Sequence, residues 1–433
     1  MKHLPVIAMA VILLAGCVRR EEPVQGDGTV SSICDNTPDY DTYFTGERLR
    51  LDLVLSGDAN SQSASLMELH REDFWSGSRN SLVDHFGYGQ YFLEAFSGSN
   101  LIFSRGFCSL FEEWRTTEQA GRVRMAATQC LWMPFPKDSI HIVLYERIRE
   151  TGRFSALAEF DVDPADTHIT AGRENDFHLT ALQYKGDPSA KVDLVFAGEG
   201  YMATEMAKLR EDSRRMMEYM FTMEPYASRC EDFNIWLVES PSPESGVDLP
   251  RDSTWRNTLM DAMFDTFYTD RYLTIMNHRK IATAVSGAPF DAIFVVANET
   301  KYGGGGMYGS YAMGTSGNER SLPVFIHEFG HSFAGLGDEY YDSETAYDDN
   351  YYPLDVEPWE PNITTLVDFG AKWEDMMGQE TENGTVGTYE GAGYLSKGCY
   401  RPFEDCRMFH NDAPGFCPVC QRAINRMIDF YTK

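Results

Sequence analysis

The sequence predicts two domains of different class: an antiparallel β-sandwich-like domain over residues 25–178, then a mixed α/β (α+β) domain over 179–433. Three observations lead there. Leu49, Leu51, Leu53 and Leu55 alternate with Arg48, Arg50 and Asp52, the period of a half-buried strand, and similar runs follow. Beyond Lys185-Gly186-Asp187-Pro188, short apolar runs alternate instead with helix-spaced ones. The chain has 433 residues, 43% of them hydrophobic, which is enough for two cores.

The N-terminus reads as an export signal. Lys2 heads an apolar run from Leu4 to Leu14 that is too short to span a bilayer comfortably and ends in small residues. Leu14-Ala15-Gly16-Cys17 resembles a bacterial lipobox, which implies a lipoprotein signal peptide over residues 1–16, lipidation of Cys17 and a polar tether over 17–24. The competing reading is an ordinary secretory signal with an incidental cysteine. On the lipoprotein reading the chain touches a membrane only through this anchor.

In the first domain, Ile140, Ile142 and Leu144 repeat the strand period, as do Phe154, Ala156, Ala158, Phe160 and Val162, with turns such as Ser97-Gly98-Ser99-Asn100 between strands. In the second, Val192 to Phe196 predicts a buried strand. Thr204 is placed to cap a helix carrying Met206, Leu209, Met216, Met217, Met220 and Phe221. Asn234 to Val238 predicts a strand, Leu259, Met260, Met263, Phe264 and Phe267 a second helix, and Asp291 to Val296 a third strand.

Without Cys17 there remain Cys34, Cys108, Cys130, Cys230, Cys399, Cys406, Cys417 and Cys420. An even number in an exported chain predicts disulfides of unspecified pairing. Cys417-Pro-Val-Cys420 has no second CxxC to complete a zinc knuckle and reads as structural.

Residues 327–340 read HEFGHSFAGLGDEY. Pro323 suits a first helical turn, and Leu322, Phe325, Ile326, Phe329 and Phe333 supply an apolar face. One turn apart on that helix, His327 and His331 point the same way and reach one ion. Glu328 is rotated by about 100° from His327, where a general base reaches an attacking water. Gly335 and Gly337 stop the helix and turn the chain, which brings a downstream carboxylate back to the ion. Asp338, with its short side chain, is the preferred third ligand; Glu339 competes for that place or supports it from behind.

HEFGHSFAGLGDEY departs by one residue, and by an aspartate for a histidine, from the helix-and-turn motif of metzincin peptidases. It resembles more closely the IgA-peptidase family of bacterial zinc metallopeptidases. The resemblance extends to Tyr302-Gly303-Gly304-Gly305-Gly306, to Tyr389-Glu390-Gly391-Ala392-Gly393-Tyr394, and to Cys406-Arg407-Met408 followed by Phe416-Cys417-Pro418-Val419-Cys420. It implies a metzincin-like zinc peptidase domain behind a β-rich domain. It also implies one catalytic Zn2+ on His327, His331 and Asp338, with Glu328 as general acid/base and Met408 as a hydrophobic floor. His410, Tyr394 and Tyr400 are rival donors to a developing oxyanion.

Four glycines in KYGGGGMYGSYAMG (301–314) let a backbone approach closely, and Met307 to Met313 is the expected edge strand for an extended peptide. Residues 338–360, acidic and aromatic, are expected to form a solvated loop near the cleft whose field favours basic segments. With 37 Lys and Arg against 66 Asp and Glu, the net charge of −29 repels phosphate backbones and excludes a nucleic-acid partner. The function expected is a zinc-dependent endopeptidase of the cell surface acting on a polypeptide substrate. The alternative is a lipoprotein that binds protein or glycan on a non-catalytic peptidase scaffold, a role that has no need of Glu328.

Overall fold

The computed structural model describes residues 37–342 and 351–433. The expected signal peptide, Cys17, the tether and Cys34 lie outside the described residues, as do positions 343–350 of the acidic stretch.

A short helix, α1 (Tyr40–Tyr43), leads into β1 (Phe44–Gly57) and β2 (Gln62–Glu72). There follow β3 (Tyr91–Ser97), β4 (Asn100–Phe107), α2 (Leu110–Trp114), β5 (Met125–Pro136), β6 (Ile140–Ile148), β7 (Arg153–Val162) and β8 (Thr170–Ala171). They form two four-stranded sheets, ordered β5-β1-β2-β8 and β4-β3-β6-β7. Between them the leucines of β1 pack with Leu93, Phe103, Ile142 and Leu144, all buried. In β7 the expected alternation fails midway. The β6–β7 register shifts at Leu144/Tyr145, so Ala156 is exposed and Leu157 packs on the core instead.

The other face of β1 departs from the expectation of a half-buried strand. Arg48, Arg50 and Asp52 are at most 1% exposed. Alternation reveals that one face is polar, not that it faces water. Here Arg48 lies over the Phe290 ring and donates to the Ser286 carbonyl, both in the second domain, while Arg279 donates to Asp52.

That second domain is built on a six-stranded sheet, ordered β13-β14-β12-β10-β11-β9. In chain order its elements are β9 (His178–Gln183), β10 (Val192–Glu199), α3 (Met206–Met220), β11 (Phe233–Glu239), α4 (His278–Val285), β12 (Ala292–Ala297), β13 (Gly304–Gly306), β14 (Ala312–Thr315) and α5 (Ser321–Ala334). The central β11, β10, β12 and β14 run parallel, and antiparallel β9 and β13 flank them. The chain continues through two small hairpins, β15 (Glu380–Thr381) with β16 (Gly384–Thr385) and β17 (Tyr389–Ala392) with β18 (Leu395–Arg401), into α6 (Pro418–Thr432). No helix of the described residues is long and apolar enough to cross a membrane.

Three local expectations are corrected. Residues 259–267 form no α-helix: the buried Glu199 carboxylate, at the end of β10, accepts from the Met260 and Ala262 N–H groups and from Thr258 Oγ1. Asp261, Asp265 and Phe267 have positive φ, which an α-helix does not admit. Thr204 sits inside a single 3₁₀ turn ahead of α3 and does not cap it; the Glu205 carboxylate accepts from Met202 N–H instead. The seven cysteines among the described residues are all free. Even Cys406 and Cys420, whose sulfurs are 3.7 Å apart, stand well beyond the length of about 2 Å that a disulfide requires.

Candidate metal centre and active-site cleft

Helix α5 carries the centre. Pro323 lies in its first turn, and its apolar face, Phe325, Ile326, Phe329 and Phe333, is buried on the core of the six-stranded sheet. Gly335 ends it in the left-handed region at φ +65°, with its N–H donating to the His331 carbonyl. Gly337 does not turn the chain; it allows close approach, since a Cβ there would meet Ile363 at 3.0 Å. Asn362 then fixes the returning segment, accepting from Gly337 N–H at 2.7 Å and donating to its carbonyl at 2.9 Å.

The bend brings Asp338 Oδ1 to 3.0 Å from His327 Nε2 and 3.2 Å from His331 Nε2, and the two Nε2 atoms are 3.1 Å apart. The opposite ring nitrogens say which atoms carry hydrogen. His327 Nδ1 is 3.0 Å from the Arg407 carbonyl, and His331 Nδ1 is 2.5 Å from the Leu336 carbonyl. A carbonyl only accepts, so both Nδ1 atoms donate, and each ring when neutral directs an Nε2 lone pair inward. Asp338 Oδ1 is buried without a hydrogen-bond donor. With both rings neutral, three acceptors converge with no hydrogen among them, an arrangement that a metal ion or a proton relieves. Tetrahedral zinc with ligands at about 2.0 Å has ligand–ligand edges of about 3.3 Å, so the triangle fits such an ion. A proton is its competitor. Burial disfavours the His331 imidazolium, but Asp338 and Glu328 outweigh this and push its pKa up to about 9. Burial also opposes the Asp338 charge, yet the imidazoles hold its carboxyl well below the usual range.

Glu328 does not join the triangle as Asp338 does. One of its carboxylate oxygens and a nitrogen of each histidine lie within 4.8 Å of one another. Burial raises its pKa against the pull of both imidazoles. It lines a cleft with His327, His331 and Asp338 that Cys108, Ser109, Glu112 and Glu113 of the first domain also line. Five carboxylates, those of Glu112, Glu113, Glu328, Asp338 and Glu360, line this cleft against one guanidinium, Arg271.

The remaining sequence-singled residues separate. Met408 is buried beneath α5, its sulfur 3.1 Å from where a Gly330 Cβ would stand. Tyr394 lines the cleft and its hydroxyl donates to Asp338 Oδ2. Tyr400 pairs its backbone with Thr364, and His410 meets Asp405 at 3.0 Å; neither lines the cleft, so the structure does not bring them to the centre. Glu339 points away from the triangle, and its Oε1 lies 3.2 Å from Cys420 Sγ.

The edge strand is Gly304–Gly306 rather than the expected Met307 to Met313, and Tyr272 bridges its outer side at Gly304. Its glycines serve the protein's own packing. A Cβ on Gly306 would stand 2.3 Å from the Glu328 carbonyl, so only glycine lets β13 lie this close to α5.

Residues that gave no signal in the sequence also shape the centre. Tyr340 stacks on His327 with ring centroids 6.3 Å apart, and Arg271 donates to its hydroxyl at 3.3 Å. Tyr340 closes the stretch 327–340 and was within reach of sequence reading. Arg271 comes from a distant segment with no local pattern, and in Cys406-Arg407-Met408 the sequence did not show that the Arg407 carbonyl reaches His327.

A family model described as IgA Peptidase M64 matches residues 180–382 and 376–428, and one described as Peptidase M64 N-terminus matches residues 39–157. No curated protein matches the chain. The two matches span both domains and contain every residue of the His327, Glu328, His331 and Asp338 constellation, and on them the chain belongs to the IgA Peptidase M64 family of peptidases.

Proposed function

We propose that this peptidase is a zinc-dependent endopeptidase, exported and held at a bacterial membrane surface by a lipid on Cys17. The observation that carries the zinc reading is the triangle of two imidazole Nε2 atoms and a carboxylate oxygen, 3.0–3.2 Å on a side, with no other side chain of the described residues donating to that oxygen. Two imidazole nitrogens and one carboxylate oxygen are a donor set suited to zinc with a fourth position open to the cleft. Bound there, zinc supplies Lewis acidity that acidifies water and polarises a scissile carbonyl.

The chain's own residues do the rest. Glu328, beside the triangle, takes the proton of the attacking water on its carboxylate and returns it to the leaving amine. Its raised proton affinity makes it a stronger base for the first half of that cycle. The Arg407 and Leu336 carbonyls keep both rings in the tautomer that presents Nε2. Tyr394 occupies Asp338 Oδ2 and leaves Oδ1 for the ion. A polypeptide runs through the cleft between the two domains, where the carboxylate excess favours basic segments. Immunoglobulin, which the family's name suggests, and other host or nutrient glycoproteins are the substrates to try first.

The test is digestion of casein and immunoglobulin A by the purified chain, with and without a chelator. Cleavage should disappear on chelation and return with zinc. Cleavage by metal-free protein would overturn the reading.

A further inference from the structure

Behind the catalytic triangle lies a second group of converging ligand atoms. Cys406, Cys417, Cys420 and Glu339 are at most 3% exposed, and a sulfur or carboxylate oxygen from each lies within 4.8 Å of all the others. We propose that these four side chains form a second metal site, tetrahedral and structural, for a thiophilic divalent ion such as zinc.

Geometry favours an ion over the alternatives. Cys406 Sγ and Cys420 Sγ stand 3.7 Å apart, against about 3.8 Å for two thiolates on one tetrahedral zinc with bonds of about 2.3 Å. Cys420 Sγ to Glu339 Oε1 is 3.2 Å, within reach of one shared ion. Backbone N–H groups point at two of the sulfurs. Cys417 N–H donates to Cys406 Sγ at 3.3 Å, and Cys420 N–H to Cys417 Sγ at 3.5 Å. Cys417 caps α6, a 15-residue helix, so Cys417 and Cys420 both sit at its positive end. Asn362 Nδ2 donates to Glu339 Oε1 at 2.9 Å, while Glu339 Oε2 is buried without a partner. The CxxC that lacks a second pair in the sequence is completed by one cysteine eleven residues upstream and by a glutamate from the catalytic motif.

The site has a task. Glu339 follows Asp338, and its N–H donates to the Met408 carbonyl at 2.9 Å. Arg407, whose carbonyl fixes His327, follows Cys406. One ion thus ties the segment that delivers the catalytic aspartate, the segment under α5 and the start of α6 into a single support.

This inference does not rest on the peptidase reading, and its test separates the two. The full chain, purified under reducing conditions with zinc, should hold two ions, and the His327→Ala/His331→Ala variant one. Cobalt replacing zinc should give a thiolate-to-cobalt charge-transfer band in the wild type and in that histidine variant. The band should be absent from Cys417→Ser/Cys420→Ser. If the cysteine variant fails to fold, the band in the histidine variant still decides. One ion in the wild type with none in the histidine variant would overturn the proposal, as would no thiolate band, or a disulfide joining two of these cysteines in the purified chain.

Discussion

Two buried aspartates of this molecule stand beside histidine and have opposite fates. Asp338 meets His327 and His331 at 3.0 and 3.2 Å; Asp52 meets His70 at 3.4 Å, in a cluster that also includes Glu68. By composition both are candidate metal sites. The difference is what else arrives. Asp52 Oδ1 takes Arg50 Nε at 2.9 Å and Oδ2 takes Arg279 Nε at 2.8 Å, while Arg50 and Arg279 also bind Glu72, Glu174 and Glu68. The chain supplies its own cations there, and the result joins two domains. Among the described residues no guanidinium or ammonium reaches Asp338 Oδ1, which leaves that oxygen to the imidazoles and to an ion from outside the chain. A cluster of carboxylate and imidazole becomes a metal centre when the fold withholds its own positive charge.

The comparison breaks most visibly at the catalytic end. Glu328→Gln should lower kcat/KM by about 10²–10⁴-fold with zinc content unchanged. Asp338→Ala should lose the catalytic ion and activity together, read by metal analysis beside a peptide-cleavage assay. If Asp338→Ala keeps its ion at that centre, the third lone pair does not hold it and the contrast with Asp52 fails. Arg50→Met is the mirror experiment. Stripping one cation from a buried network costs about 3–5 kcal/mol, which urea unfolding measures, while zinc per folded chain should stay as in the wild type.

Acid tests the same interdomain layer by another route. His278, at the start of α4, accepts the Cys130 N–H at 2.9 Å on Nδ1, and burial lowers its pKa from 6.5 to about 4. Between those values the unfolded chain takes up a proton that the folded one refuses. Its contribution is therefore complete above about pH 6.5 and falls as pH drops towards 4, by about 3 kcal/mol in all. His278→Gln should flatten that part of the stability–pH curve. An unchanged slope in the variant would show that the layer tolerates an imidazolium.

How much of this was legible beforehand follows from how local each signal is. HEFGHSFAGLGDEY contains the last turns of the helix, its glycine end and three converging groups within twelve residues, so short-range geometry suffices to assemble them. The leucines of β1 announced a core face, but the fate of Arg48, Arg50 and Asp52 depended on Arg279 and Phe290, more than 200 positions away. Apolar residues near 260 suggested a helix because periodicity does not register a competing acceptor such as Glu199. Tyr394, Tyr400 and His410 were equals in the sequence, and only the β17–β18 hairpin, which brings Gly393 N–H to the Asp338 carbonyl, separates them. Likewise the partners of Cys417 and Cys420 lie on segments that no spacing rule connects.

The smallest effect sharpens the comparison furthest, because it leaves every ligand in place. Both oxygens of Asp52 are held by arginines, whereas Asp338 has one oxygen on a neutral hydroxyl and the other facing the triangle. Tyr394 pays for that contact with a positive φ of 67°, unfavourable for a side chain of its size. Its hydroxyl stops the carboxylate from rotating and so keeps Oδ1 aimed at the two imidazoles. Tyr394→Phe removes the hydroxyl and keeps the ring that packs on Tyr340. Zinc should then bind about 10–100-fold more weakly, measured by competition with a chelator, with the fold intact by circular dichroism. Wild-type affinity in Tyr394→Phe would mean that Asp338 needs no orienting partner. The two aspartates would then differ only in the cations that reach them, not in how their oxygens are held.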